Sequence, residues 1–170
     1  MQNTVNQNII LTGFMGTGKS SVGRALAEHL GWLFLDMDAL IEKREGRSVR
    51  RIFEEAGEAT FRQLESDLCR ELADWRGYVI ATGGGTLVNP KNLATLARHH
   101  IVCLDCEPET LWERLAFADD RPMLDSADKK TRLLNLLQAR QPAYARIQHH
   151  VDATRLSIDE VVDKILRMGE

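Results

Sequence analysis

The stretch 13–20 reads Gly-Phe-Met-Gly-Thr-Gly-Lys-Ser and constrains the chain more than any other. It fits G-x-x-x-x-G-K-[ST] at every fixed position. The apolar run NIILT (8–12) leads into it, and an amphipathic helical pattern over 19–29 leads out, so the glycines sit at a strand-to-helix junction. Glycines there let backbone N–H groups turn inward around phosphate oxygens, and the positive end of the new helix adds to their field. Lys19 is placed to reach the β- and γ-phosphates, and the Ser20 hydroxyl to ligate Mg²⁺. The ligand expected from this P-loop is a nucleoside triphosphate.

Downstream, short apolar runs alternate with helical patterns. LFLD (33–36), YVIAT (78–82), IVCLD (101–105) and the weaker HHVDA (149–153) read as strands alongside 8–12. Helices are expected from Pro90 behind the cap Asn89, from Pro108, over about 128–145, and from Ser157. The last opens with Ser157 and Glu160 in a capping box and carries Ile158, Val161, Val162, Ile165 and Leu166 on one face. Strands buried on both faces and separated by helices predict a five-stranded parallel sheet in a three-layer α/β/α sandwich. Ligands of such sheets bind beyond the carboxyl ends of the strands. Two longer helical excursions interrupt the alternation, at about 38–76 and 116–128, and are expected to supply acceptor-binding and mobile elements.

With 170 residues the chain suits one domain, 1–170, with a single core. A net charge of -3 argues against nucleic acid as the main partner, so an anionic ligand must be met by locally placed arginines. No apolar run approaches the ~20 residues of a membrane span, and the N-terminus lacks a basic start and an apolar signal core. A cytoplasmic monomer is expected. The three cysteines are too few and too oddly placed for a disulfide framework, and Cys103 and Cys106 read as part of a buried strand end rather than a redox or zinc pair. The pairs His99-His100 and His149-His150 read as strand-edge residues rather than metal ligands.

Phosphoryl transfer with Mg²⁺ calls for an acidic residue near the loop. The run 78–82 ends without one. Asp36, closing 33–36, is the nearest candidate for the metal, and Asp38 could point the same way, although both also suit turn and N-cap roles.

At this level the chain resembles the shikimate kinases. The segments GFMGTGKSSVGRALA, FLDMDALIE, IFEEAGEATFRQLE, VIATGGGTL, RLAFADDRPML and QARQPAYARI carry the likeness, in the family's order and over almost the whole length. The resemblance implies a P-loop kinase that phosphorylates the 3-hydroxyl of shikimate with ATP and Mg²⁺, in aromatic amino-acid biosynthesis. Gly16, Thr17, Gly18, Lys19, Ser20 and Ser21 would hold the phosphates, with Ser20 and Asp36 at the metal. Asp38 would accept from the substrate hydroxyls and stand as candidate base. Arg62 and Arg140 would clamp the carboxylate, Gly84 and Gly85 would lie beside the ring, and Phe53 and Phe61 would wall the pocket. Arg121, from a lid at about 116–128, would reach the phosphates, and Arg114 would lie against adenine.

The residue types agree with that reading. A small cyclic acid with vicinal hydroxyls needs a cation of fixed planar geometry, which arginine supplies. It also needs a hydroxyl acceptor and close backbone contact, which Asp38 and the TGGG run can give. Spacing alone leaves Arg62 open to a solvated pair with Glu58 or Glu65, and Arg140 open to a solvated place late in a helix. Asp119, Asp120 and Asp125 are expected to face solvent. Ser21 stands where many relatives carry threonine, and Arg155 could reach adenine. Competing readings are a P-loop kinase for another small acid such as gluconate, a nucleoside monophosphate kinase, and a nucleotide-binding module without transfer activity. The residues Asp38, Arg62 and Arg140 weigh against the first, the short 46–76 segment against the second, and the presence of Asp38, Arg62 and Arg121 against the third.

Overall fold

Strong local hydrophobicity at five places builds one sheet. The computed structural model describes residues 6–116 and 128–169. Its strands are β1 (Ile9–Gly13), β2 (Leu33–Asp36), β3 (Tyr78–Ala81), β4 (His100–Asp105) and β5 (His149–Asp152). All pair in parallel, in the order β2-β3-β1-β4-β5. Each lies within a residue or so of its expected run. β1 is buried at every position, as expected for a strand covered on both faces. β2 departs from that expectation, because it is an edge strand with one neighbour, and Leu33 is 61% exposed.

Alternation along the strands feeds two cores. Ile10 and Cys103 face one side with residues of helices α2 (Met37–Glu45), α3 (Val49–Ala56), α4 (Glu58–Leu72), α6 (Pro108–Leu115) and α7 (Lys129–Tyr144). Leu11, Val102 and Leu104 face the other side with α1 (Lys19–Leu30) and α8 (Ile158–Met168). The remaining helix, α5 (Pro90–Leu96), begins behind the Asn89 cap and its proline as read from the sequence. α8 carries the expected capping box, with Ser157 Oγ accepting from Glu160 N and the Glu160 carboxylate accepting from Ser157 N. In α1, Gly23 is required for space: a Cβ there would stand 2.5 Å from the Phe34 ring.

The excursion at 38–76 resolves into three helices. α2 stops at Gly46, whose φ of +68° suits a left-handed C-cap, and Ser48 caps α3 by accepting from Arg51 N. Ion pairs tie these helices together, Arg44 to Glu71 and Arg47 to Glu55, each at 2.8 Å. Both are surface pairs and contribute little individually. The second excursion is described only at its ends, so the expected lid, with Arg121, Asp119, Asp120 and Asp125, lies outside the described residues.

At the amino ends of the strands, Asn8 is fully buried. Its amide donates to Trp75 O at 2.9 Å and accepts from Tyr78 N, while its backbone N–H donates to His99 Nδ1. His100 N donates to Asn8 O, and the His100 and His149 rings lie 4.8 Å apart. The histidines are strand-edge residues, as expected. At the carboxyl ends, donor atoms of Cys103, Asp105 and His150 lie within 4.8 Å of one another. That cluster is closed by its own contacts: the His150 ring sits 2.7 Å from Asp105 and 2.9 Å from Ile147 O, and burial raises the Cys103 thiol.

Candidate active site

Every P-loop residue is placed by the β1–α1 junction. Gly13 meets the backbone of β4 so closely that a Cβ would overlap the Leu104 carbonyl. Thr17, 2% exposed, donates to Phe14 O at 2.8 Å and closes the loop from beneath. The Lys19 ammonium lies over the loop, 2.9 Å from Gly13 O and 3.0 Å from Phe14 O. Arg114, from α6, donates to Gly16 O at 2.9 Å. Ser20 Oγ donates to Asp36 Oδ2 at 2.7 Å, while Asp36 Oδ1 accepts from Ala39 N as the N-cap of α2. The cap reading of Asp36 is realised on Oδ1, and Oδ2 is held by the Ser20 hydroxyl. Asp38 lies inside the first turn of α2 rather than at its cap.

From the loop a cavity of about 680 Å³ runs toward α3 and α4. Gly16, Gly18, Lys19, Ser20, Ser21 and Asp36 line one part of it. Asp38, Phe53, Phe61, Arg62, Gly84, Gly85 and Arg140 are among the residues lining another part. These come from five separate places in the chain. Thr17 and Arg114 border the loop without lining the cavity, and Arg121 lies outside the described residues. Arg155 is 84% exposed and pairs loosely with Glu107 at 3.7 Å.

The glycine triplet 83–85 is where the cavity's charged groups converge. A Cβ at Gly83 would stand 2.9 Å from Asp38 Oδ1 and 3.0 Å from Glu65 Oε1. One at Gly84 would stand 2.9 Å from Arg140 Nη1, and one at Gly85 2.6 Å from Arg62 Nη1. None of the three has a positive φ. Glycine is needed here for space rather than for backbone freedom.

Arg62 pairs with Glu65 at 2.7 Å and with Glu58 at 3.3 Å, the two partners its spacing allowed. Pairing has not turned it away from the cavity, because Glu65 is itself 1% exposed and is held on its other oxygen by Thr86 Oγ1 at 2.7 Å. Burial opposes the charge on Arg62, but the Glu65 and Glu58 carboxylates together outweigh it and the guanidinium pKa is raised. Arg140 is 6% exposed, which overturns the solvated alternative for it. Its guanidinium lies 5.5 Å from the centre of the Phe14 ring, and Nη1 is buried without a hydrogen-bond partner among the described residues. A buried donor of this kind is costly unless a ligand oxygen meets it. The Phe53 and Phe61 rings meet at 5.2 Å, tilted by 45°, and both line the cavity.

Glu65, Thr86 and Tyr144 support the site and were not singled out as functional by the sequence. Glu65 stood there only as a competing partner for Arg62. The three-residue spacing of Arg62 and Glu65 on one helix face was the available signal, and burial of the carboxylate was not.

Among known proteins, a profile of the family described as shikimate kinase matches residues 15–170. A shikimate kinase of Caldanaerobacter subterraneus subsp. tengcongensis is 40% identical over 162 residues, covering 95% of this chain and 95% of that one. A solved shikimate kinase from Acinetobacter baumannii, in complex with shikimate, aligns with a TM-score of 0.92 at 35% identity over 97% of this chain and 93% of that one. A gluconokinase from Sinorhizobium meliloti 1021 aligns with a TM-score of 0.63 at 21% identity over 97% and 92%, a likeness of fold alone.

Proposed function

The chain belongs to the shikimate kinase family, and from that premise we propose how its residues divide the work of transferring a phosphoryl group from ATP to shikimate. The observation that carries the assignment is the convergence of Arg62, Arg140 and Asp38 on the glycine triplet, in the cavity that opens onto the P-loop. Two guanidiniums and one carboxylate match a substrate with one carboxylate and several hydroxyls.

In this reading Gly16 to Ser21 hold the ATP phosphates through backbone N–H groups, and Lys19 leaves its loop carbonyls for the γ-phosphate. The Ser20 hydroxyl and Asp36 carboxylate, 2.7 Å apart, are oxygen donors of the kind Mg²⁺ takes and would hold it. Bound there, it would supply positive charge beside the ATP phosphates. Arg140 Nη1 and Arg62 take the shikimate carboxylate. That contact fixes the ring so that Asp38 accepts from the 3-hydroxyl and orients it for in-line attack, giving shikimate 3-phosphate and ADP. Arg121 is assigned to the transferring phosphoryl group and Arg114 to the adenine side. Catalysis is then mostly positioning and charge neutralisation. Because one chain supplies the whole cavity, a monomer suffices, and the free thiols of Cys69, Cys103 and Cys106 suit the cytoplasm.

The test is ADP release from Mg²⁺–ATP with shikimate, gluconate or AMP as acceptor, on wild type and Arg62→Ala. Turnover with shikimate alone, collapsing in the variant, is expected. Equal turnover with gluconate, or none affected by Arg62→Ala, would sink the clamp.

A further inference from the structure

Tyr144 lies on α7 one turn beyond Arg140, with its ring in the core and its hydroxyl against the glycine triplet. Its Oη donates a 2.6 Å hydrogen bond to the Gly84 carbonyl. The side chain is 3% exposed, and burial pushes its pKa up to about 12, so the phenol stays a donor throughout the neutral range. The peptide joining Gly84 to Gly85 is planar and trans, as no cis bond occurs among the described residues. Pinning its carbonyl toward Tyr144 therefore also fixes its N–H, at Gly85, in the opposite direction. Thr86 N donates to Gly83 O across this peptide and closes a turn, and the phenol holds the carbonyl of the turn's central peptide on one side, where neither glycine has a side chain to do so.

The same phenol lies beside the Arg140 guanidinium, which favours its ionised form electrostatically and by hydrogen bonding. Arg140 Nη1 in turn packs on Gly84. One face of α7 therefore carries a guanidinium that lines the cavity and a hydroxyl that donates to the backbone this guanidinium rests on.

We propose that Tyr144 is a positioning residue for the acceptor: its hydroxyl sets the orientation of the Gly84–Gly85 peptide and of Arg140, and so the affinity for shikimate. This rests on the assignment of Gly84, Gly85 and Arg140 to the acceptor. A purely structural tyrosine would fill the core with its ring and satisfy a buried carbonyl, with no effect specific to one substrate.

Tyr144→Phe separates the two, since it keeps the ring and removes only the hydroxyl. Losing one buried hydrogen bond predicts a rise in shikimate KM of roughly threefold to tenfold, with kcat and ATP KM unchanged. The shikimate Kd measured by calorimetry should rise by the same factor. A fall in kcat or melting temperature with both KM values unaltered overturns the inference, as does an equal rise in both KM values. Should the phenylalanine variant fold poorly, Tyr144→Trp, which keeps an aromatic ring and a donor, must restore shikimate KM relative to Tyr144→Leu; no difference between those two overturns the inference as well. Wild type that turns over shikimate beside an unaffected Tyr144→Phe sinks this inference alone. Wild type that ignores shikimate sinks the acceptor assignment and this inference with it.

Discussion

Alanine at Gly85 tests the clamp without touching either arginine. The backbone there, with φ -94° and ψ -6°, accepts any residue, so the substitution introduces no backbone strain. Its Cβ, however, would stand 2.6 Å from Arg62 Nη1, 2.8 Å from Nη2 and 2.9 Å from Cζ. Ordinary contact begins near 3.4 Å, so the guanidinium must retreat by at least about 0.8 Å. Retreat of that size stretches the 2.7 Å bond to Glu65 to the edge of hydrogen-bonding range and spoils a planar, two-pronged approach to a carboxylate. Losing one charge-assisted hydrogen bond costs about 1.5–3 kcal/mol. That converts to roughly a 10- to 100-fold rise in shikimate KM at about 1.4 kcal/mol per decade. ATP KM should stay put, because the P-loop lies on the other side of the cavity. Coupled ADP release at varied shikimate and at varied ATP gives both constants. Gly46→Ala serves as the control: its φ of +68° makes alanine cost about 1 kcal/mol of stability, yet nothing lies within 4 Å and kinetics should be unchanged. A folded Gly85→Ala protein with shikimate KM within about twofold of wild type would remove Arg62 from the carboxylate site.

Three other outcomes are expected. Asp38→Asn should retain ATP binding by calorimetry while kcat falls by about 10²–10⁴-fold, and near-normal turnover would dismiss Asp38 as orienting acceptor or base. Burial lowers the pKa of His99 and of His100, the latter helped by His149, so the unfolded chain takes up protons that the fold refuses. Stability is therefore full above the ordinary histidine value of about 6.5 and falls as the pH drops below it. Urea midpoints should track this, and His100→Gln should flatten the slope; an unchanged slope refutes the account. Burial holds the Cys69 thiol at about 12 and raises Cys103, whereas Cys106 is less buried. A thiol reagent at pH 8 should label Cys106 alone in the native protein and all three cysteines after denaturation, and labelling of Cys69 or Cys103 before unfolding would contradict the packing of the core.

What the sequence made legible was local. The P-loop, the five strand runs, the Asn89-Pro90 entry and the Ser157 capping box are fixed by residues a few positions apart, and each was found where it was read. Strand order was not written in any run, so the exposure of β2 at the sheet edge had no signal. The acceptor site was legible only through resemblance. Arg62 on a helix with Glu58 and Glu65 looks the same whether it faces water or a cavity; Thr86, far along the chain, locks Glu65 in place. Arg140 resembles an ordinary late-helix cation until Phe14 and Gly84 are packed on it. Tyr144 gave no sign at all, because its partner is a backbone carbonyl that any residue could have offered.

His99, His100 and Asn8 sit at the amino ends of the strands, while the cavity opens at their carboxyl ends. β4 alone, six residues long, separates the two by about 17 Å. The native fold refuses protons at His99 and His100 in mild acid, so the field at the cavity is unchanged for as long as a molecule stays folded. Time then becomes the variable that matters in mild acid. An assay lasting seconds should find the transfer rate nearly intact near pH 6, and the same sample held for hours should lose activity as molecules unfold, with the early rate and the surviving fraction decaying on unrelated schedules.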